Sequence, residues 1–320
     1  SAVALAEKLR VAVYNPPLAD RVSFPEDHPL FQGTLPMTIP GVSKRLEGHD
    51  LVVVIGAPVF RYYPFLPGQW LPDGTEVLHV TCDPDTAAYA ASGDSMLGDA
   101  KLAIDLLIEK VAPAPASRVA PTPLSWPRKL PATPSTPLTP PEAYAALSDV
   151  RPADAVIVNE STSTMVQQAE WLPTVRTGSF FTTASGGIGW GVPGAVGVAL
   201  GDRARGVRRT VIATIGDGSF QYSVQAIWTA AQHNLPIVFL VFRNGEYSIL
   251  KSFAQLEEAP GVPGLDLPGL DIASVAKGFG LRSVHANTAE EIRDEFKLAV
   301  AADGPTVIVV ETQPEDAKLG

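Results

Sequence analysis

The sequence has little cysteine and no long apolar run. Cys82 is the one cysteine in 320 residues, so no intrachain disulfide can form, which suits a reducing compartment. Apolar runs such as LVVVIGAPVF from Leu51 are far shorter than the roughly 20 residues that cross a bilayer. The first residues, SAVALAEKLRVAV, are too short and too charged for a signal peptide. We therefore expect a cytoplasmic protein that does not associate with membranes.

Positive charge is also scarce. The 24 lysines and arginines are outnumbered by 34 aspartates and glutamates, which gives a net charge of −10. Such a chain is a poor match for a phosphate backbone, so nucleic acid is excluded as an expected partner. Apolar types make up 46% of the residues and charged types 18%, which is typical of a globular protein.

Proline divides the chain. Ten of the 30 prolines fall between Pro113 and Pro141, where neither helix nor sheet interior is possible, and this predicts an extended linker. Apolar strand-like runs alternate with helix-like runs on both sides, a pattern typical of parallel sheets covered by helices. We predict an α/β protein with two doubly wound parallel-sheet domains joined by a Pro-rich linker. The predicted bounds are 1–112 for the first domain, 113–138 for the linker and 139–320 for the second domain.

A glycine-rich turn marks the first candidate site. The run TVIATIGDGSF places Gly216, Asp217 and Gly218 at the carboxyl end of a predicted strand, with a helix beginning soon after. Ligands bind at this position in open α/β sheets, and glycines there let the backbone approach a phosphate. A GDG tripeptide alone is a weak signal and is more often a solvated turn.

The next predicted strand, PIVFLVFRN, ends at Asn244, which lies 27 residues after Asp217. One strand-helix-strand unit has about this length, and its right-handed crossover brings the two strand ends to the same edge of the sheet. A carboxylate, an amide oxygen and one backbone carbonyl, for which Glu246 is the candidate, would provide three oxygen ligands. Magnesium takes about six, and a diphosphate with water could complete the set.

These residues resemble a known signature. GDG followed by Asn244 is similar to the thiamine diphosphate motif of decarboxylases, acetolactate synthases and transketolases, although Arg243 replaces the first of two usual asparagines. Longer segments are similar to benzoylformate decarboxylases over nearly the whole chain. These segments are EGHDLVVVIGAPVFRY, VNESTST, AIWTAAQHNLP and PGLDLPGLDIASVAKGFG.

The resemblance implies thiamine diphosphate and Mg²⁺ as cofactors. It implies that Asp217, Asn244 and the Glu246 carbonyl bind the metal. The matching cofactor-binding positions include Asn159 and Ser163 in VNESTST and a bulky residue, Ile188, placed under a bent cofactor, although Ile188 by itself would be read as core packing. The cofactor-binding residues that the resemblance implies are Asn159, Ser163, Gly186, Gly187, Ile188, Gly216, Gly218 and Ser219.

Catalysis and substrate choice are also implied by the resemblance. His28 in FPEDHPLFQG matches a histidine that carries protons in the family, whereas a lone histidine in a loop is ordinarily a surface residue. Benzoylformate decarboxylases have a small residue where Ile249 stands and a phenylalanine where Thr182 stands. We therefore expect a hydrophobic pocket suited to an aliphatic 2-keto acid. Its predicted lining is Thr162, Thr182, Ile249, Leu250 and Phe253.

Three functions remain open at this point. The first is nonoxidative decarboxylation of a 2-keto acid to an aldehyde and CO2. The second is an acetolactate synthase-like carboligase, although no convincing flavin-binding glycine pattern surrounds Gly56. The third is a cofactor-binding fragment without activity. The family also has a pyrimidine-binding domain that would precede this chain and complete the active site in a homo-oligomer, so we expect this chain alone to be inactive.

Overall fold

The computed structural model describes residues 1–60, 62–124, 129–183 and 185–314, which divide into two compact units. The first unit contains residues 1–19 and 23–124, and the second contains residues 20–22 and 129–314. The predicted domain bounds 1–112, 113–138 and 139–320 stay a prediction.

The first unit carries short parallel strands. β3, β4 and β5 form one sheet in that order, and β1 pairs with β2 in a second sheet. Val54 and Val80 are buried, but Leu51 and Val53 on β3 are exposed, so one face of that strand is open in this unit. The elements are α1 Ala2–Leu9, β1 Val13–Asn15, β2 Phe31–Thr34, α2 Ile39–Arg45, β3 Leu51–Ile55, β4 Glu76–Thr81, α3 Pro84–Ala88, β5 Asp94–Leu97 and α4 Ala100–Lys110.

The second unit is built around apolar strands. The runs VIVNE, VIATIG and IVFLVFR are buried along almost their whole length, as expected for strands covered on both faces. Its first elements are α5 Pro140–Val150, β6 Val156–Glu160, α6 Met165–Trp171, β7 Phe180–Thr182, α7 Gly191–Ala204, β8 Val211–Gly216 and α8 Asp217–Tyr222. The elements that follow are α9 Ala226–Gln232, β9 Ile237–Arg243, α10 Ser248–Leu256, α11 Ile272–Gly278, β10 Arg282–Ala286, α12 Ala289–Ala301 and β11 Thr306–Glu311.

These strands form one parallel sheet in the order β10-β11-β9-β8-β6-β7. A core on one face contains Val192 of α7, Phe220 of α8 and Ile227 of α9, and a core on the other contains Leu147 of α5 and Phe296 of α12. Alternate strand residues enter the two cores, because successive side chains of a strand point to opposite faces. The prediction of an α/β protein with doubly wound parallel sheets is confirmed.

Two segments with a helix-like pattern are only partly helical. The run MLGDAKLAIDLLIEKV becomes helical only at Ala100, because Met96 and Leu97 belong to β5 and Asp99 caps the helix with its side chain. The run TSTMVQQAEWL is divided into a 3₁₀ turn over Thr162–Thr164 and α6. No helix in the described parts of the chain is long and apolar enough to cross a bilayer.

Two segments from outside the predicted second domain belong to the second unit. Arg21 forms an antiparallel bridge with Phe181 of β7, and the N–H of Thr182 donates to the carbonyl of Asp20 at 3.2 Å. Leu138, the last residue of the predicted linker, is buried and forms a parallel bridge with Thr312.

Candidate active site

Strands β6 and β8 are neighbours in the sheet, and the connections that follow them run toward opposite edges of the sheet. The carboxyl ends of these two strands therefore lie at the point where the strand order reverses. From β6 the chain passes through α6 to β7, and from β8 it passes through α8 and α9 to β9, on the opposite side. Ligands of open α/β sheets bind outside such a reversal. A cavity of about 380 Å³, including its part open to solvent, lies there. Nine predicted site residues line it: Thr162, Ser163, Gly216, Asp217, Gly218, Ser219, Asn244, Glu246 and Ile249.

Asp217 is the buried acid of this cavity, with only 2% of its surface exposed. Its Oδ1 accepts the N–H of Gly218 at 2.8 Å, and its Oδ2 accepts the N–H of Gly245 at 2.8 Å. Burial raises the pKa of Asp217, while these amides and the positive charge of Arg243 act in the opposite direction. Asp217 has no ion-pair partner among the described residues, so a carboxylate at this place fits a bound cation.

The loop after β9 brings amide and carbonyl oxygens to the same place. Asn244 Oδ1 accepts the N–H of Glu246 at 3.1 Å, and its Nδ2 donates to Ser248 Oγ at 2.9 Å. The Glu246 side chain is occupied by Ser248 Oγ at 2.6 Å and by Lys251, so this side chain is held by protein groups. Its backbone carbonyl is therefore the better candidate ligand.

This donor set fits magnesium better than a transition metal. The described residues contain no group of three or more His, Cys, Asp and Glu side chains that could hold a metal. One carboxylate, one amide oxygen and one carbonyl are hard oxygen donors, and they leave positions that the oxygens of a diphosphate could fill. The structural observation that favours this fit is the buried Asp217 carboxylate facing the cavity.

The GDG turn is shaped by Tyr247. A Cβ atom at Gly218 would overlap the ring of Tyr247, so only glycine fits between the start of α8 and that ring. Burial raises the pKa of the Tyr247 phenol, so this hydroxyl stays protonated and can donate a hydrogen bond. The helix α8 begins directly at Asp217, which places its free N–H groups at the cavity.

The serine and threonine run after β6 forms the opposite wall. Asn159 Oδ1 accepts the N–H of Ser161 at 2.9 Å and the hydroxyl of Thr214 at 3.1 Å, so this side chain ties the ends of β6 and β8 together. Thr164 Oγ1 lies 2.7 Å from Ser161 Oγ and 2.8 Å from the hydroxyl of Tyr144. Ser163, which lies between Ser161 and Thr164 in the sequence, also lines the cavity.

Other predicted site residues are not among those that line this cavity. Asn159 is fully buried in the sheet, and Thr182 donates its hydroxyl to the Asn159 carbonyl at 2.7 Å. Leu250 on α10 is 46% exposed, and Phe253 follows it on the same helix. Of the predicted residues the structure describes, those that do not line this cavity are Asn159, Thr182, Gly186, Gly187, Ile188, Leu250, Phe253 and His28.

His28 lies in the first unit. Its Nδ1 accepts the N–H of Leu30 at 3.2 Å, its Nε2 is 3.4 Å from Glu7 Oε1, and its ring packs edge-on against Phe24. With Nδ1 accepting, the neutral ring carries its proton on Nε2. This geometry fixes the tautomer of His28, and its catalytic role stays a prediction.

Six residues that were not among the predicted site residues line the cavity. Thr312 follows the last strand, so the rule that strand ends carry ligand-binding groups could have found it. The close approach of Tyr247 to Gly218 had no signal in the sequence, because it depends on how α10 folds back on the turn. The six are Ser161, Thr164, Phe242, Tyr247, Ser248 and Thr312.

Comparison with known proteins agrees with this geometry. The family model described as thiamine pyrophosphate enzyme, C-terminal TPP binding domain, matches residues 161–310. The model described as thiamine pyrophosphate enzyme, central domain, matches residues 1–107. Acetolactate synthases are more distant matches: a putative acetolactate synthase large subunit of Mycobacterium tuberculosis is 31% identical over 84% of this chain and 50% of the relative, and the isozyme 2 large subunit of Escherichia coli is 28% identical over 51% and 30%.

Among the most similar relatives is a benzoylformate decarboxylase of Pseudomonas aeruginosa, 45% identical over 98% of this chain and 58% of the relative. A crystal structure of benzoylformate decarboxylase from Polynucleobacter necessarius superposes with a TM-score of 0.94 at 41% identity, covering 98% of this chain and 59% of the other. The 4-hydroxybenzoylformate decarboxylase of Rhodococcus jostii RHA1 has a TM-score of 0.92 at 40% identity, over 98% and 58%.

The chain thus spans somewhat less than three fifths of the length of these relatives. The two family models together match most of its residues, and the expected resemblance is confirmed. The chain belongs to the benzoylformate decarboxylase family of thiamine diphosphate-dependent enzymes, of which it contains the central and the C-terminal cofactor-binding domains.

Proposed function

We propose that the enzyme to which this chain belongs decarboxylates a 2-keto acid without oxidation, converting the 2-keto carboxylate anion and one proton into an aldehyde and CO2. The observation that carries this proposal is the buried Asp217 carboxylate at the reversal point of the sheet, beside Asn244. Bound thiamine diphosphate supplies the nucleophilic carbon and the electron sink for this chemistry. The protein contributes binding, orientation and proton transfer.

The proposed roles follow the residues that line the cavity. Asp217, Asn244 and the Glu246 carbonyl would hold Mg²⁺, and the hydroxyls of Ser163 and Ser219 would bind the diphosphate. Gly216 and Gly218 would let the backbone approach the diphosphate closely. Asn159 would act through its neighbours, because its amide is occupied by Ser161 and Thr214.

The remaining roles concern the thiamine part and the substrate. Gly186, Gly187 and Ile188 would bind the thiamine part of the cofactor, and His28 would carry a proton. Ile249, at the start of α10, lines the cavity and would touch the substrate. Thr162, Thr182, Leu250 and Phe253 complete the proposed pocket.

Calorimetry with this chain tests the cofactor assignment. Thiamine diphosphate is titrated into the chain in the presence of Mg²⁺, and again with EDTA replacing the metal. We expect binding that requires the metal. Equal affinity with and without Mg²⁺ would contradict the metal site, and no binding of either kind would contradict the proposed function.

Carboligation is the second candidate, because acetolactate synthases are among the relatives. The benzoylformate decarboxylase of Pseudomonas aeruginosa matches this chain at 45% identity over 98% of its length, against 31% over 84% for a putative acetolactate synthase of Mycobacterium tuberculosis, which favours decarboxylation. The two differ in product: incubation of the full-length protein with a 2-keto acid yields an aldehyde in one case and a hydroxy keto compound in the other. Product analysis by NMR therefore distinguishes them.

We further propose that the enzyme works as a cytoplasmic homo-oligomer. Support comes from the single cysteine and from the share of the relatives' length that this chain covers. The remaining length would supply the pyrimidine-binding domain and the glutamate that activates the cofactor. Mass determination of the native full-length protein in solution tests the oligomeric state.

A further inference from the structure

Glu160 is a buried acid beside the candidate site that none of the roles above uses. It ends β6, only 2% of its surface is exposed, and its pKa is raised because burial disfavours the ionised form. Its two carboxylate oxygens accept the backbone N–H groups of Gly189 and Gly191, and the N–H of Trp190 also hydrogen-bonds to it. The acid thus lies at the N-terminus of the 14-residue helix α7.

The packing around Gly189 and Gly191 leaves no room for a side chain at either position. A Cβ at Gly191 would lie 2.6 Å from Glu160 Oε2 and 2.6 Å from the Cδ1 of Ile215. Gly189 adopts a φ of +99°, and a Cβ there would lie 2.9 Å from the Cβ of Tyr222. Glycine at these two positions is what lets both amides reach the carboxylate.

The carboxyl end of β6 is hydrogen-bonded to the chain on both sides of residues 185–188. Thr182, before the loop, donates its hydroxyl to the carbonyl of Asn159, and Gly189, after the loop, donates its N–H to Glu160. The last two residues of β6 therefore anchor both ends of the loop that contains residues 185–188. Ile188 directly precedes the first amide that Glu160 holds.

We propose that Glu160 is a positioning residue that fixes residues 186–188 at the place where they receive the thiamine part of the cofactor. This inference rests on the proposed function for the identity of the ligand. Glu160 is a buried carboxylate without a cation partner in the described chain, so its burial carries an electrostatic cost. Such costs are typical of groups at functional sites, where they hold other groups in position. Removing its charge should loosen the loop without disturbing the diphosphate end.

The first test is hydrogen exchange of the peptide that contains residues 189–191, measured by mass spectrometry on the chain without ligand. Glu160→Gln keeps the shape but presents an NH2 group to one of the amides. We expect exchange there to rise about tenfold, as for loss of one hydrogen bond to a charged group. Glu291→Gln is the matched control, because Glu291 also accepts a backbone N–H, from Asn287 at 2.6 Å, at the exposed start of α12.

The second test separates positioning from general destabilisation. Calorimetry measures the affinity of thiamine diphosphate and of inorganic pyrophosphate, each with Mg²⁺, for wild type and Glu160→Gln. We expect the variant to lose about tenfold in affinity for thiamine diphosphate, equal to about 1.4 kcal/mol, while pyrophosphate affinity changes less than about twofold. Gly191→Ala, which pushes the helix start away from the acid, should show the same selective loss if Glu160→Gln does not fold.

The outcomes are distinct. Equal losses for both ligands, or unchanged exchange at residues 189–191, would overturn the positioning role. A wild-type chain that binds neither ligand would instead overturn the proposed function, and the exchange measurement would still decide whether Glu160 holds these amides.

Discussion

Asp217 Oδ2 and the backbone N–H of Gly245 are joined by a hydrogen bond of 2.8 Å. This bond connects the residue after β8 to the loop after β9, so the side chain that would bind the metal also fixes the loop that carries Asn244. Metal binding at Asp217 would therefore be coupled to the geometry of this loop through one carboxylate. The coupling makes Asp217 and Asn244 the most informative positions to change.

Asp217→Ala and Asn244→Ala should each weaken Mg²⁺-dependent binding of thiamine diphosphate by more than about 100-fold, since even outer partners of metal ligands contribute 10- to 100-fold. Both side chains lie at strand ends rather than in the cores, so the fold should persist. Calorimetry measures the affinity, and circular dichroism measures the fold.

Asp294→Ala is the control for these variants, because Asp294 is an exposed acid on α12 whose pair with Lys297 is 3.7 Å long. It should bind as wild type does. Unchanged affinity in both site variants would show that the metal is held elsewhere.

This chain, purified alone and supplied with Mg²⁺ and thiamine diphosphate, should not decarboxylate 2-keto acids. In the proposed enzyme the activating glutamate belongs to a domain outside this chain, so bound cofactor would lack its partner for proton transfer. A coupled assay of aldehyde release compares the chain with free cofactor and with the full-length protein. Turnover by the chain above the rate of free cofactor would show that its own residues contain the catalytic base.

The full-length enzyme should prefer an aliphatic 2-keto acid over benzoylformate. Ile249 lines the cavity at a position where the resemblance to benzoylformate decarboxylases implies a small residue, and overfilling a packed site costs about 1–3 kcal/mol, or roughly 5- to 150-fold in rate. Ile249→Ala should therefore shift kcat/KM toward benzoylformate. A wild-type preference for benzoylformate of about tenfold or more, equal to about 1.4 kcal/mol, would contradict this expectation.

Asp202 links stability to pH in a region away from the cavity. Its buried carboxylate accepts Arg209 Nε at 2.8 Å and Arg205 Nη2 at 2.5 Å, and these hydrogen bonds, Arg209's first, lower its pKa below the ordinary 3.8. A lowered pKa in the folded state gives stability that is present above pH 3.8 and lost as the pH falls through the lowered value.

Asp202→Asn should accordingly lower the free energy of unfolding by about 1.5–3 kcal/mol at neutral pH. The difference from wild type should shrink below about pH 4, because there Asp202 of the unfolded chain takes up a proton that the folded chain still resists. Asp303→Asn, at an exposed acid 3.7 Å from Arg208, should change neither quantity. A constant deficit of Asp202→Asn at all pH values would mean that packing, rather than charge, sets its effect.

The sequence allowed the main strands and the position of the glycine-rich turn after β8 to be predicted, because buried parallel strands read as continuous apolar runs and their ends carry the polar residues. Strand β7 has three residues, which are too few to show a strand pattern in the sequence. Its place at the sheet edge depends on its pairing with β6. The hydrogen bonds of Glu160 join residues 29 and 31 positions apart, so only the folded chain reveals them. Local patterns therefore located the strand ends that line the cavity but not the hydrogen bonds that hold the loops around them.

Strand β7 lies at the outer border of the six-stranded sheet, and residues 20–22 cover part of its free side. A recombinant cofactor-binding domain that began at residue 139 would leave out this cover. The N–H of Thr182 would lose its acceptor, the Asp20 carbonyl, and the uncovered edge would present free backbone groups to other molecules. Such a domain should aggregate more readily than a version to which residues 20–22 are fused. Light scattering, measured while both proteins are concentrated, would compare their aggregation.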